Sequence, residues 1–422
     1  MQKRFFVPLT LTALLATLVP ASPAIAIDPV FDRLLDDTTL IPGSLNTFSS
    51  VRFPVVEDGR LVFTSNIGER GFYAVDSTTG DVTTLVDEST LVPGGAALFD
   101  SFGASDIDGG HLIFTGGNPS VPGATGLYRV PIGGGPIEVI ANTTTIAPGY
   151  GQPFTAITDA SAGSGTIAFK AQVDTGQMAG IYRYENGLLE VVADRNTTVP
   201  GEGVPFRSFS NVHVGTEGNL SFYGGVSQFQ AGLFSDRTGA LESVALEDVT
   251  LDPVNGTTLS GFDFGTAIGG DDVAFRAAHS GGSFGAVYVD EAAGLRRVAS
   301  RGDLVPGGGD SFLWFLGDVA HFGDNTVFRA RTLSGEEGIY VDVAGEVHTL
   351  LVFGSLLDGV AVDFANFYSD GLHGDELALG VDFVGGTNAL YLVTIPEPGT
   401  AILLGLGLGG LCALRRQAGS PA

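Results

Sequence analysis

The six histidines of this sequence are its side chains best suited to acid–base catalysis or to binding a transition metal. They fall at unrelated positions, and no two have the short spacing that would place both on one face of a strand or helix. A Gly-x-Ser-x-Gly string occurs at 281–285, but no helix is predicted after it to form a nucleophile elbow, and no phosphate-binding glycine loop stands out. The pattern therefore predicts no catalytic, cofactor-binding or metal-binding residue and favours a protein that is not an enzyme. The histidines are His111, His213, His279, His321, His348 and His373.

Acidic side chains are the second candidates, because carboxylates can bind calcium or act in pairs on a glycosidic bond. The chain has 47 Asp and Glu against 20 Lys and Arg, a net charge of −27. This charge excludes nucleic acid as a partner, since phosphate binding needs a basic surface. The acidic turns at 106–109 and 270–272 lack the ligand spacing of a calcium loop. We interpret the acidity as favouring solubility, with loose calcium binding as the weaker alternative and no cofactor expected.

Three basic residues share one position, directly after a phenylalanine that recurs along the chain. They are Lys170, Arg276 and Arg329. Neighbours on a strand face opposite sides, so the phenylalanine would pack at one repeat interface while the basic residue faces the other. The favoured interpretation is an ion pair with an acidic residue of the neighbouring repeat. The alternative is a ring of cations that binds an acidic glycan.

The elements that position these residues come from a unit of roughly fifty residues that recurs seven times. Its clearest mark is a tyrosine, once a phenylalanine, at intervals of 51 to 55 residues. An apolar run ending in Phe or Leu precedes each mark, and six units begin with a proline-containing turn. A period in this range indicates a propeller, a solenoid or an array. The marks are Tyr73, Tyr128, Tyr182, Phe234, Tyr288, Tyr340 and Tyr391.

Each unit contains short β-rich runs bounded by Gly, Asp and Asn, which predicts four antiparallel strands. Four-stranded units repeated radially are the blades of a β-propeller. The last unit stops after its third run, whereas 34–43 match 85–94 and form a surplus run at the start. We therefore predict an all-β, seven-bladed β-propeller over residues 27–395, closed by an N-terminal strand, since closure removes unpaired edges. An open solenoid is the alternative and would need polar caps at both ends.

One unit resembles the β-propeller repeats of the periplasmic TolB-like family. The resemblance rests on 58–66, which read Asp-Gly-Arg-Leu-Val-Phe-Thr-Ser-Asn, and on 71–76, which read Gly-Phe-Tyr-Ala-Val-Asp. It implies the propeller fold and carries no implication for activity.

The first 26 residues are typical of a secretory signal peptide. Lys3 and Arg4 supply the charged start, and an apolar stretch follows. Ala24 and Ala26 form a small-x-small cleavage site. A permanent membrane anchor is the weaker alternative, because the apolar stretch is short for a membrane span.

The C-terminal end holds a tripeptide, an apolar run and a basic pair, in that order. Together these three parts resemble a PEP-CTERM sorting signal. Two arginines on the cytoplasmic side of an apolar run also agree with the positive-inside rule. The parts are Pro396, Glu397 and Pro398, then the apolar run 400–414, then Arg415 and Arg416.

This resemblance implies export across the inner membrane of a Gram-negative-type bacterium, transient anchoring there, and transfer to the cell surface or extracellular matrix. Residues 396–416 would form a single transmembrane sorting helix and 417–422 a short tail. An exosortase-type protease is the implied partner during sorting. Such proteins accompany exopolysaccharide and biofilm systems, so an extracellular polysaccharide or a surface protein is the expected later partner. An anchor that is never cut is the alternative.

The regular spacing of the repeat marks bears on activity, because function on a common fold comes from sites grafted onto it. The proline mark precedes the end of the apolar run by 21 or 22 residues in all six units that have both. We therefore predict no elaborated loop and favour a non-enzymatic binding module. An extracellular glycan lyase or hydrolase with paired carboxylates in the channel is one alternative. A purely structural coat protein is the other.

Overall fold

The structure is a computed structural model in which every regular element of the described residues is a β-strand. Thirty strands, β1 to β30, form seven antiparallel sheets arranged as the blades of a propeller. The prediction of an all-β, seven-bladed propeller is confirmed. Side chains are not described for 263–265 and 284. The structure describes residues 27–396 apart from 66–68, 96, 174–178, 228–229 and 280–283.

The first six blades each consist of four strands that are consecutive in sequence and in space. Blade 1 contains β2 (Arg52–Glu57), β3 (Arg60–Ser65), β4 (Gly71–Asp76) and β5 (Val82–Asp87). Blade 2 contains β6 (Ser101–Asp108), β7 (His111–Gly117), β8 (Thr125–Pro131) and β9 (Glu138–Asn142). Blade 3 contains β10 (Ala156–Gly163), β11 (Thr166–Gln172), β12 (Ala179–Glu185) and β13 (Leu188–Asp194).

The next three blades follow the same order. Blade 4 contains β14 (Ser208–Val214), β15 (Leu220–Gly225), β16 (Ala231–Ser235) and β17 (Glu242–Leu246). Blade 5 contains β18 (Leu259–Gly269), β19 (Asp272–His279), β20 (Phe284–Glu291) and β21 (Gly294–Ser300). Blade 6 contains β22 (Phe312–Phe322), β23 (Asn325–Thr332), β24 (Glu337–Val343) and β25 (Glu346–Val352).

The seventh blade joins the two ends of the described chain. Its main strands are, from the channel outward, β27 (Val360–Asn366), β29 (Glu376–Phe383), β30 (Asn388–Thr394) and β1 (Val30–Asp36). Two short strands, β26 (Leu356–Leu357) and β28 (Leu372–His373), pair with β27 and β29. The N-terminal strand β1 runs antiparallel to β30 and so closes the ring, as predicted.

An aromatic stack repeats in the core of the first six blades. The Phe of the second strand lies nearly parallel to the Tyr or Phe of the third, with ring centroids 5.5 to 5.8 Å apart. Aromatic pairs at this separation add attraction beyond the burial of their surfaces. All these rings are at most 1% exposed, so the recurring marks of the sequence are core residues. In blade 7, Leu379 takes the place of the Phe.

The propeller has two faces. The turns between strands one and two and between strands three and four of each blade lie on one face, which we call the hairpin face. The connections between blades and the loops between strands two and three lie on the other, which we call the connector face. Val30 pairs with Thr394 at the end of blade 7 where β29 begins. Both ends of the described chain therefore lie on the hairpin face.

Neighbouring blades are joined at the hairpin face by carboxylates that accept hydrogen bonds from the next blade's turn. Glu57 of blade 1 accepts from the N–H groups of Gly109 and Gly110 in blade 2, at 2.9 and 3.0 Å. These bonds satisfy turn amides and fix the spacing of the inner strands. The same contact joins Glu376 to Gly59 and Asp108 to Gly165.

Two of the three basic residues that follow the recurring Phe form ion pairs within their own blade and not between repeats. Lys170 lies 2.6 Å from Asp159 and Arg329 lies 3.6 Å from Glu337, both within the same blade, because the neighbouring strand is nearer than the next blade. Arg276 donates to a backbone carbonyl of the next blade, at 2.6 Å. Ion pairs between blades occur at other positions, for example between Arg183 and Asp236, Arg237 and Asp290, and Arg296 and Asp342.

Candidate functional site

A register shift interrupts the pairing of the first two strands in every blade, and in three blades it turns a non-glycine side chain with positive φ toward the central channel. The pairing of β10 with β11 shifts between Thr158 and Ala160, which places Asp159 outside the ladder with a φ of 46°. The same shift places Asn211 of β14 and Phe53 of β2 outside the ladder, with φ of 48° and 51°. Positive φ is uncommon for residues other than glycine, and a bulge re-aims the side chain it carries. The bulges therefore give blades 1, 3 and 4 a common channel-facing position.

A cavity of about 490 Å³ occupies the half of the channel nearer the connector face. Six of the seven blades contribute to its wall, so it is a property of the whole ring. A volume of this size lies within the range of small-ligand sites. Its aromatic wall is Phe53, Phe102 and Tyr368, and its polar wall includes Asp159, Asn211, His213, Asp318 and Asp370.

The floor of this cavity is a segment of blade 7 that departs from the repeat. Five blades join their first two strands by a turn of two residues, such as Asp58–Gly59. Blade 7 uses residues 367–375 for the same connection and places β28 within it. We call 367–375 the floor segment. Because Ser369 and Asp370 also line a second cavity of about 260 Å³ on the hairpin side, the floor segment divides the channel.

The floor segment is held by contacts with several other blades. The ring of Tyr368 lies 4.6 Å from that of Phe53 in blade 1. Asp370 Oδ1 lies 3.1 Å from Nδ1 of His213 in blade 4, on the opposite side of the ring. His373 packs against an aromatic ring of blade 6 at 4.9 Å. Contacts in three directions hold Tyr368 and Asp370 in place at the base of the cavity.

His213 is a partly buried acid–base group of this cavity. Burial lowers the pKa of His213, but the carboxylate of Asp370 and, at longer range, those of Asp318 and Asp159 raise it more. The net pKa of His213 therefore lies above its ordinary value. Asp159 in turn has the ammonium of Lys170 at 2.6 Å. Asp159 and Asp370 thus each have a basic partner.

Asp106, a buried carboxyl beneath the floor segment, links blades 2, 3 and 4. Its Oδ2 accepts hydrogen bonds from the Ser161 hydroxyl and the Ala162 N–H, both at 2.8 Å. The Ser161 Oγ accepts from the N–H of Val214 at 3.0 Å. Burial, and then the charge of Asp370, raise the pKa of Asp106 well above its usual range. This series of hydrogen bonds satisfies buried polar groups across two blade interfaces, which is a structural role.

The sequence did not predict this site, because its side chains converge from separate blades. His213 and Asp370 are 157 positions apart in the chain. The spacing gave almost no signal: Ala365 and Leu379, which take the register positions of Phe315 and Phe328 of blade 6, are 14 residues apart instead of 13. The last unit also lacks the proline mark, so its spacing from that mark is undefined. The prediction that no blade carries an elaborated loop is wrong for blade 7.

Metal binding finds no support in the part of the chain that the structure describes. No three His, Cys, Asp or Glu side chains there are grouped so that they could hold a metal ion. The carboxylates nearest the channel are instead engaged by backbone N–H groups, as for Glu57 and Asp108, or by Lys170 and His213. Calcium binding stays a prediction.

The processing and sorting residues lie at the edge of the described chain or beyond it. Pro396 is the last described residue. The predicted signal peptide, 1–26, and all but the first residue of the predicted sorting helix lie outside. Among the described residues, no helix is long and apolar enough to cross a membrane. The other sorting residues outside the described chain are Ala24, Ala26, Glu397, Pro398, Arg415 and Arg416.

A known motif matches the C-terminal end. The PEP-CTERM protein-sorting motif matches residues 394–417, which include the Pro-Glu-Pro tripeptide and the arginine pair. The chain carries this motif, which implies an exported protein that is transiently anchored in the membrane and processed by an exosortase-type system. No curated protein matches the chain.

Solved structures share the fold at low sequence identity. A prolyl endopeptidase is 13% identical, with a TM-score of 0.50 over 82% of this chain and 50% of its own. Puromycin hydrolase is 12% identical, with a TM-score of 0.47 over 81% and 52%. PorZ, a bacterial surface component of the type-IX secretion system of Porphyromonas gingivalis, is 14% identical, with a TM-score of 0.43 over 86% and 49%. This chain spans about half the length of each, and the likeness shows the fold alone.

A family match covers more than half of the chain. It extends over residues 28–264, from just before β1 into β18 of blade 5, and so includes the closing strand and the channel-facing bulge residues of blades 1, 3 and 4. The chain belongs to the family described as Family of unknown function (DUF7453).

Proposed function

We propose that the mature domain is a non-enzymatic binding module of the bacterial cell surface or extracellular matrix, associated with exopolysaccharide in the producer's biofilm. The sorting motif supports an external location, because it implies export and transient anchoring. The route runs from the inner membrane of a Gram-negative-type bacterium, after processing, to its outer surface or matrix. The observation that carries the binding role is the channel cavity with its aromatic and carboxylate walls.

The chemistry of the cavity favours a saccharide without strong negative charge. The rings of Phe53 and Tyr368 offer apolar surface to the C–H face of a sugar. Asn211 and the carboxylates offer acceptors to its hydroxyl groups. The carboxylates of Asp318 and Asp370 would repel the acid groups of an anionic polymer. A neutral or amino-substituted sugar unit fits these walls best.

The floor segment, 367–375, closes the cavity on one side and so favours a ligand that inserts one of its own ends. A polymer cannot thread a channel that Tyr368 and Asp370 cross, so it approaches from the connector face. The cavity then holds a chain end or a side branch, while the remainder of the polymer stays outside.

The test is co-sedimentation of the processed protein with the producer's own isolated exopolysaccharide, with and without calcium. We expect the polymer to carry the protein down. Phe53→Ala should weaken binding at least tenfold, about 1.4 kcal/mol, because it removes one aromatic wall. Trp314→Ala is the matched control, since this ring lies outside the cavity, beside Arg301 at 5.6 Å. Binding that Phe53→Ala leaves unchanged, or no binding at all, would contradict the proposal.

A hydrolase or lyase acting on extracellular glycan is the second candidate. Its support is the presence of Asp159, Asp318 and Asp370 around one cavity with His213, since paired carboxyl groups perform glycoside hydrolysis. The partners already held by Asp159 and Asp370 weigh against it. Release of new reducing ends from the exopolysaccharide, abolished by Asp318→Asn, would establish this activity in place of simple binding.

A further inference from the structure

The exposed apolar side chains of this propeller are concentrated on one face. Among the described residues, eighteen large hydrophobic side chains are more than a third exposed. Only Val30 and Leu188 of these lie on the hairpin face, and Phe53 lies in the channel. The other fifteen lie on the connector face, and single exposed apolar residues scattered evenly would not give this asymmetry. They are Leu40, Leu45, Leu91, Leu98, Val121, Ile146, Val204, Val249, Leu251, Val254, Leu304, Leu333, Leu356, Val360 and Val384.

Backbone pairing holds several of these side chains outward. Leu91 forms an isolated bridge with Leu98 across its connection and is 60% exposed, while the next residue, Val92, is 2% exposed. Because neighbours in an extended segment point in opposite directions, burying Val92 turns Leu91 to solvent. Leu40, Ile146, Leu251 and Leu304 occupy the same bridged position in other connections.

We propose that the connector face is the interface of a face-to-face dimer of this chain. A Val or Leu side chain carries roughly 100 Å² of apolar surface, so fifteen that are about half exposed present on the order of 800 Å². A stable protein interface buries about 800 Å² on each partner. The connector face thus offers enough apolar surface for a specific dimer without any further element.

The position of the chain ends determines when this dimer can form. Both ends of the described chain lie on the hairpin face, and the sorting motif begins at the last residue of β30. Copies anchored in one membrane therefore all present their connector faces away from it, in the same direction. Two such copies cannot meet face to face, so dimers form between copies that the sorting system has released.

Charge opposes an anionic lipid surface as the occupant. The chain carries a net charge of −27, which anionic lipid would repel over the whole domain. Two copies also repel each other, but salt screens this repulsion, while the apolar contact remains. Dimerisation should therefore strengthen as salt rises.

Dimerisation also connects the interface to the channel. The cavity opens toward the connector face, so in the dimer the two cavities face each other. A long polymer that enters one cavity would compete with the second copy, whereas a short sugar would not.

The test is sedimentation equilibrium of the processed protein recovered from the producer's medium, in low and high salt. We expect a mass that approaches twice that of the monomer as concentration rises, more so in high salt. The variant Leu40→Ser/Leu91→Ser/Leu304→Ser should weaken association at least tenfold. The matched control is Val30→Ser/Leu188→Ser, two equally exposed residues of the hairpin face, and it should associate as the unchanged protein does.

Three results would overturn the proposal. The first is a protein that stays monomeric at concentrations up to about 0.1 mM, and the second is association that the connector-face variant leaves intact. The third is a monomer that floats with phosphatidylcholine vesicles and loses this binding in the connector-face variant. The last would identify a lipid-binding face instead. If the triple variant proves unstable, amide hydrogen exchange of the unchanged protein decides. Connector amides should gain protection as concentration rises, and hairpin-face amides should not. Loss of exopolysaccharide binding by Phe53→Ala would leave these outcomes unaffected.

Discussion

Asp252 is a buried carboxylate at a connector position where other blades have an apolar side chain. It accepts a hydrogen bond from the Tyr288 hydroxyl at 2.7 Å and from two turn amides, and Arg297 lies 3.3 Å away. Burial raises the pKa of Asp252, but these hydrogen bonds and the nearby charge lower it more, to about 2. A single residue thus ties the connection, the third strand and the fourth strand of blade 5 together. The apolar equivalents are Ile41, Val92, Ala147, Val199 and Val305.

Replacing this carboxylate should destabilise the domain in a pH-dependent way. Folding lowers the pKa of Asp252, so its ionised carboxylate stabilises the fold at any pH above the pKa of the unfolded chain. This stabilisation is lost as the pH falls through the pKa of the folded protein. We expect Asp252→Asn to lower the free energy of unfolding by about 2.5 kcal/mol at pH 7. The difference should shrink between pH 4 and pH 2. Urea denaturation at several pH values measures it, with the exposed Asp81→Asn as control, and a pH-independent difference would refute this account.

His213 should produce the opposite pH dependence. The pKa of His213 in the folded protein lies above its ordinary value of about 6.5. Protonated His213 therefore stabilises the fold fully below about pH 6.5, and this stabilisation is lost as the pH rises through the pKa of the folded protein. A hydrogen bond to a charged group contributes about 1.5 kcal/mol or more. We expect the unchanged protein to lose about that much between pH 6 and pH 9, and His213→Gln to lose much less. The variant leaves Asp159, Asp318, Asp370 and Lys170 in place, so equal slopes for both proteins would count against the His213–Asp370 contact.

At the scale of strands, features that repeat in every blade could be predicted from the sequence, and features that occur in only some blades could not. The Phe and Tyr marks recur because every blade needs the same stacked pair, as for Phe169 and Tyr182, and this regularity is visible in one chain. The bulges at Asp159 and Asn211 depend on a shift in pairing that no local pattern reports. The floor segment occurs once, in the unit with the weakest marks. A unique departure from a repeat has no second copy by which to recognise it.

Blade packing should be most sensitive where glycines bring two backbones together. A Cβ on Gly163 of blade 3 would lie 2.4 Å from the carbonyl oxygen of Gly215 in blade 4, so one blade would have to move. We expect Gly163→Ala to cost about 2 kcal/mol, as for other overpacked sites. Gly133 also has negative φ but has no atom within 4 Å of its Cβ position, so Gly133→Ala should be neutral or slightly stabilising. Thermal melting of the two variants makes the comparison, and equal melting temperatures would show that the interface can relax.

For the molecule as a whole, one strand converts an open array of blades into a ring. β1 is the outermost strand of blade 7 and pairs only with β30, yet it joins the first residues of the domain to the last. Leu35 of β1 is 3% exposed and packs in one cluster with Phe48 and Tyr73 of the neighbouring blade. Closure therefore buries one face of β1 and at the same time covers the edge of β30. Because both effects need the ends of the domain to meet, the stability of the domain depends on the closed ring.

Breaking this closure should destabilise every blade at once. Leu35→Asp places a carboxylate without a positive partner in the cluster between blade 7 and blade 1, which should cost at least about 4 kcal/mol. Separation of β1 leaves β30 as an open edge that can pair with another chain. We expect a single, lowered melting transition and aggregation detectable by light scattering. Asp32→Ala, an exposed change on the same strand, is the control and should melt as the unchanged protein does. If Leu35→Asp instead melted in two steps, with most blades intact, the ring would not be the cooperative unit.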